Sequence, residues 1–151
     1  MSLLWRNNIA IASLRSRRDF AGQYAFLNEK RHISMAATSL LIVLNHAPQG
    51  SAWVREGLDV ALVTASLGQP VSVLLTGDGV YAAVRGQSAG ALGQKGTLRM
   101  LEGLDMYDIS PIYVDTSSLE ARGLESGDLI EGCSFCTTKA LLHRHRHTLV
   151  F

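Results

Sequence analysis

A chain of 151 residues is long enough to bury a core and short enough to be a single domain. Apolar residues make up 47% and charged residues 18%, which excludes a disordered chain, and no apolar run approaches the roughly 18 residues of a membrane span. The net charge of +1 hides an asymmetry: residues 1–34 hold Arg6, Arg15, Arg17, Arg18, Lys30 and Arg31 against Asp19 and Glu29, a balance of +4, so the remainder carries −3.

That basic leader lacks the uninterrupted apolar stretch and the small-residue cleavage site of a secretory signal. Met35-Ala36-Ala37-Thr38 opens directly onto the first strand-like run. The expectation is a domain over 35–151 preceded by an extension over 1–34, either non-native upstream reading or a disordered tail, with a basic RNA-contacting arm as the alternative. Two cysteines are too few for a disulfide-stapled secreted fold, so the cytoplasm is the expected compartment.

In chain order, Leu40-Leu41-Ile42-Val43-Leu44 is a continuous apolar run, as in a strand buried on both faces. Val54, Leu58, Ala61, Leu62 and Ala65 then form one stripe of an amphipathic helix, which Gly68 ends. Val71–Leu75 reads as the second strand. Gly77 to Gly96 reads as a loop with a short helical turn, and Thr97 to Leu104 as a helix. Pro111–Val114 is the third strand, and Ser117-x-x-Glu120 has the pattern of a capping box opening a helix that Gly123 stops. Leu129-Ile130-Glu131 is read as the fourth strand, with a helix from about Cys136 to Leu142 and a last strand over Thr148–Phe151. Strands alternating with helices predict an α/β three-layer sandwich around a mainly parallel sheet of about five strands, its functional loops at the carboxyl ends of the strands.

Four patterns are candidates for chemistry. Gly77-Asp78-Gly79-Val80-Tyr81-Ala82 matches G-x-G-x-x-A, but a dinucleotide site needs a long helix directly after the turn. Here Arg85-Gly86 cuts the helix short, so a structural turn is expected and no nucleotide cofactor. Cys133-x-x-Cys136, set at a helix start, would favour thiolate and allow a redox or persulfide role; small thiols filling the core are the other reading. His143, His145 and His147 with the two cysteines sketch a zinc set, but period-two histidines on an extended segment stand about 7 Å apart. A solvated basic strand edge and no metal are expected there. His46 and Ser51 lack a partner that would complete a triad.

Several blocks together resemble one family. They are Ala47-Pro48-Gln49-Gly50 with Arg55-Glu56-Gly57-Leu58-Asp59, then Asp78-Gly79-Val80-Tyr81 with Arg85-Gly86-Gln87. Leu104–Ile109 and Leu119-Glu120-Ala121-Arg122-Gly123-Leu124 complete the set. In this order and spacing the chain is similar to the DsrF/TusC family over Met35 to Phe151. The resemblance implies a DsrE-like fold and a heterohexamer built with DsrE/TusD-like and DsrH/TusB-like siblings. It implies a relay of protein-bound persulfide, ending in 2-thiolation of tRNA wobble uridine (an indirect tRNA link) or serving intracellular sulfur oxidation. The DsrE/TusD sibling carries its cysteine at the end of the third strand, where this chain reads Tyr113-Val114-Asp115-Thr116 and holds no thiol. The resemblance therefore implies a non-catalytic subunit, with a thiol-based carrier using Cys133 or Cys136 as the alternative. Asp78, Gly79, Arg85, Gly86 and Gln87 are expected to be loop or interface residues.

Overall fold

The computed structural model describes residues 39–87 and 96–151. The expectation for residues 1–34 lies outside them, as does the 88–95 part of the predicted loop. Five strands form one sheet: β1 (Leu40–Leu44), β2 (Val71–Leu75), β3 (Ile112–Asp115), β4 (Cys133–Cys136) and β5 (His147–Val150). All neighbours run parallel, in the order β4-β3-β2-β1-β5.

That order decides which face each helix covers. Strands β1 to β4 are laid outward in one direction, so crossovers of one hand keep their connecting helices on one face. These are α1 (Trp53–Ser66), α2 (Thr97–Glu102) and α3 (Thr116–Glu120). The step from β4 to β5 runs back across the sheet, and the same handedness sends α4 (Thr138–Leu142) to the opposite face. The packing agrees. Val54, Leu58, Leu98, Leu101 and Leu119 join Ile42 and Val73 in the larger core, whereas Leu141 of α4 joins Leu41, Val43 and Leu74 in a smaller one. Each fully buried leucine of this kind contributes about 1.5–3 kcal/mol. The result is the predicted three-layer α/β sandwich, with an all-parallel sheet.

Helix α1 follows its predicted stripe, with Val54, Leu58 and Ala61 fully buried. It ends at Gly68, whose φ of 75° is the left-handed conformation that caps helices. Gly57, between two buried turns, lets α1 lie on the sheet: a Cβ there would stand 2.4 Å from the Leu44 side chain and 3.0 Å from the Phe151 ring.

Three expectations for the second half are corrected. The fourth strand is Cys133–Cys136, not Leu129–Glu131. Leu129 and Ile130 are buried, but by an antiparallel bridge from Leu129 to Val84 and a hydrogen bond from the Ile130 N–H to the Ala83 carbonyl. The helix expected at Cys136 starts at Thr138, so the cysteine pair lies within a strand and not at a helix amino end. The three histidines do not share an extended segment. His143 closes α4, His145 lies in the connection that follows and only His147 is in β5.

Candidate functional site: a carboxylate clasp at the carboxyl edge

The predicted loops gather at the carboxyl ends of the strands, and the residue that organises them is Asp115, the last residue of β3. Its side chain is buried, at 5% exposure, and accepts five hydrogen bonds. Oδ2 takes the Ser117 hydroxyl at 2.6 Å, the Ser118 hydroxyl at 2.7 Å and the Ser118 N–H at 2.9 Å. Oδ1 takes the Thr138 N–H and hydroxyl, both at 2.9 Å. Asp115 therefore caps α3, and the capping box expected from Ser117 and Glu120 is corrected: the helix begins two residues earlier than that pattern implies, at Thr116.

Burial alone would raise the Asp115 carboxyl, but the hydrogen bonds from Ser117, Ser118 and Thr138 outweigh it and hold the group well below the usual carboxylate range. The side chain is thus held as an anion from neutral pH well into acid. Because the one Ser118 hydroxyl proton is committed to Asp115, the same oxygen accepts from the Gly77 N–H at 3.0 Å and from the Thr76 hydroxyl at 3.1 Å. One network consequently ties the ends of β2 and β3 to the start of α4. The Thr116 hydroxyl adds a bond to the Cys136 carbonyl at 3.3 Å, closing β3 onto β4.

A 3₁₀ helix, Gly77–Ala83, follows β2, and it contains the glycine-rich match. Gly79 is buried there, and a Cβ would meet the Leu44 carbonyl oxygen at 2.0 Å. The glycine serves close backbone packing onto β1, and no long helix follows it. Asp78 is exposed and pairs with Arg122, whose Nη2 donates at 2.6 Å and Nε at 3.0 Å to Oδ1. Nη1 of Arg122 also donates to the Ser118 carbonyl at 3.0 Å. Two sequence blocks read separately, the Asp-Gly-Val-Tyr block and the Glu-Ala-Arg-Gly-Leu block, therefore meet in one ion pair. Arg122→Ala is expected to cost about 1 kcal/mol, as exposed pairs do, in a chemical denaturation midpoint.

The other nominated loop residues make internal contacts too. Arg85 donates through Nε to the Leu129 carbonyl and through its backbone N–H to Asp128. Gly86 turns the chain at φ 75°, and Gln87 returns its amide to the Val84 carbonyl at 3.0 Å and to that of Tyr81. Gln49 bonds Gln87 at 2.9 Å, joining the loop after β1 to the loop after the 3₁₀ helix. His46 stacks on Trp53, with ring centroids 5.6 Å apart, and Ser51 is exposed.

The two cysteines are free and half-buried. At positions i and i+3 of a strand they point to opposite faces, with Cα atoms about 10 Å apart, beyond the reach of a disulfide. The packing matches: Cys133 lies against the larger core and Cys136 against the smaller one. Burial raises the Cys133 thiol; burial and then the Asp115 charge raise that of Cys136, while Arg144 pulls it down. Among the described residues, no group of three or more His, Cys, Asp or Glu side chains converges as a metal set would. No helix among them is long and apolar enough to cross a membrane.

These features define a doubly wound, all-parallel α/β domain whose carboxyl edge is closed by its own hydrogen bonds. Residues 38–147 match the DsrE/DsrF-like family, and the chain belongs to that family. It is 44% identical over 85 residues to the intracellular sulfur oxidation protein DsrF of Allochromatium vinosum, covering 56% of this chain and 62% of that one. It is 32% identical over 117 residues to the TusC homologue of Vibrio vulnificus, covering 76% of this chain and 99% of the relative. The fold is shared with the ychN protein of E. coli, with a TM-score of 0.66 and 26% identity over 76% of this chain and 99% of the other.

Proposed function

We propose that the chain is a non-catalytic subunit of a cytoplasmic sulfur relay, assembled with DsrE/TusD-like and DsrH/TusB-like siblings in a heterohexamer that passes persulfide sulfur between proteins. The relay serves tRNA wobble-uridine 2-thiolation or intracellular sulfur oxidation. The reading draws on the names of the relatives, one a sulfur oxidation protein and one a TusC homologue. The observation that carries its non-catalytic half is Asp115. At the end of β3 the chain holds a carboxylate with both oxygens committed to internal donors, and a carboxylate there cannot carry sulfur. Both thiols, which would have to serve instead, are held toward the protonated form.

In this reading Asp78, Gly79, Arg85, Gly86 and Gln87 shape the loop face presented to the siblings. Asp78, Arg85 and Gly86 are exposed there, and the bonds of Arg85 and Gln87 hold the loop in one form. Co-expression with both siblings is expected to give a stable mixed complex on size exclusion, and a chain that ignores both would refute the assignment. Incubation of the purified complex with a persulfide donor is expected to leave this subunit's intact mass unchanged while a sibling gains sulfur. A gain on this subunit that disappears in Cys136→Ser would establish it as a carrier instead.

A further inference from the structure

We propose that Asp115 adds to burial in keeping the Cys136 thiol unreactive: the carboxylate of its register partner, anchored by five donors, opposes formation of the thiolate that would accept sulfur. The inference rests on the non-catalytic reading for its purpose, and on geometry for its substance. Asp115 and Cys136 are register partners in the parallel β3–β4 pair. Registered residues of adjacent strands project to the same face, and the strands lie about 4.8 Å apart. The pair is at the carboxyl edge, and Cys136 is half-buried, so water screens the interaction less than at an open surface.

The surroundings of Cys136 can be taken element by element. On β3, Asp115 is its lateral partner and Tyr113 packs on the same small core. Further across the sheet the same small core continues through Leu74 of β2 to Leu41 and Val43 of β1, which carry no charge. From α4 comes Leu141, and Arg144 follows in the next turn as the opposing cation. The network around Asp115 has a second role in this arrangement. A carboxylate is ionised at any pH where a thiol would begin to ionise, and the bonds from Ser117, Ser118 and Thr138 hold that charge in place. A persulfide passing along a sibling meets a neutral thiol here, and a neutral thiol is a poor nucleophile.

The test is alkylation of the full-length chain by iodoacetamide, an uncharged probe, in a Cys133→Ser background so that only Cys136 reacts. Its rate is followed from neutral to alkaline pH. Asp115→Asn is expected to lower the midpoint of the pH–rate curve and to raise the rate at neutral pH several-fold. Arg144→Gln is expected to move the midpoint the other way. Ser117→Ala, which removes one donor and keeps the charge, is expected to stay close to the parent. Opposite shifts identify charge as the cause, because loosening of the edge would accelerate both variants. Shifts in the same direction, or no shift in Asp115→Asn, would overturn the proposal. Should Asp115→Asn fail to fold, Asp115→Ser, which keeps a capping oxygen without the charge, takes its place, and an unmoved or raised midpoint counts against the proposal. Sulfur loading of wild-type Cys136 would sink the non-catalytic reading, whereas an unmoved alkylation profile sinks only this one.

Discussion

Gly79→Ala is expected to destabilise the domain by about 3–5 kcal/mol, because among the described glycines this is the one a Cβ would crowd most. The Cβ would be placed 2.0 Å from the Leu44 carbonyl oxygen and 2.7 Å from its carbon, and both atoms belong to the backbone of a central strand. No rotamer change relieves such an overlap. Either the 3₁₀ helix lifts away from β1, or β1 shifts against β2. Lifting also pulls on the Gly77 N–H bond to Ser118 and on the Asp78–Arg122 pair, because both belong to the same short segment. Gly57→Ala is the comparison that isolates this cause. Its nearest neighbours are side chains and not backbone, a terminal methyl of Leu44 and the ring of Phe151, which can shift, so about 1–2 kcal/mol is expected. Urea denaturation should show both as midpoint shifts at unchanged slope. A Gly79→Ala loss no larger than that of Gly57→Ala would refute the backbone explanation.

What the sequence discloses and what it hides follow from how each feature is encoded. The stripe of α1 and the continuous apolar run of β1 are legible because periodicity records which faces are buried, and both are observed. Strand β4 is hidden because Leu129-Ile130 is more apolar than Cys133-Ser134-Phe135-Cys136, and sequence alone does not say which extended segment joins the sheet. The buried segment is satisfied by Ala83 and Val84, while an edge strand tolerates partial exposure, as Phe135 shows at 43%. The strand order, which sends α4 to the second face, has no local signature at all. The candidate loop residues were visible individually, but their partners were not: nothing local to Asp78 names Arg122. Asp115 is visible in the sequence as the position that lacks a sibling's thiol, but its capping role is not, because a polar residue closing an apolar strand reads as the start of a loop. The run Asp115-Thr116-Ser117-Ser118 does carry a cap signal, with the Asp side chain three residues before the N–H it accepts. Glu120 made Ser117 look like the better cap.

Asp115→Ala is expected to cost about 3–5 kcal/mol, and its effect should depend on pH in a way that no apolar truncation would. Removing the carboxylate leaves the Ser118 and Thr138 N–H groups without their acceptor and frees three hydroxyls. The hydroxyls can rotate toward other oxygens, and Ser118 still has Thr76 within reach, but the two backbone donors cannot turn. The bonds are not additive, so the expected loss is well below five charged hydrogen bonds taken separately. The sign of the pH effect follows from the depressed folded-state pKa. In the unfolded chain the carboxyl protonates near its ordinary value of about 3.9, whereas in the folded protein it stays ionised to lower pH. Its contribution is therefore complete above that value and is lost as pH falls below it toward the folded-state pKa. Wild type should lose stability steeply in that acid window, while Asp115→Ala, already lacking the contribution, should follow a flatter curve there. The two curves should converge as acid is added and run parallel near neutral pH. A difference that stays constant down to strong acid would show that the clasp acts through packing and not through the charge of Asp115.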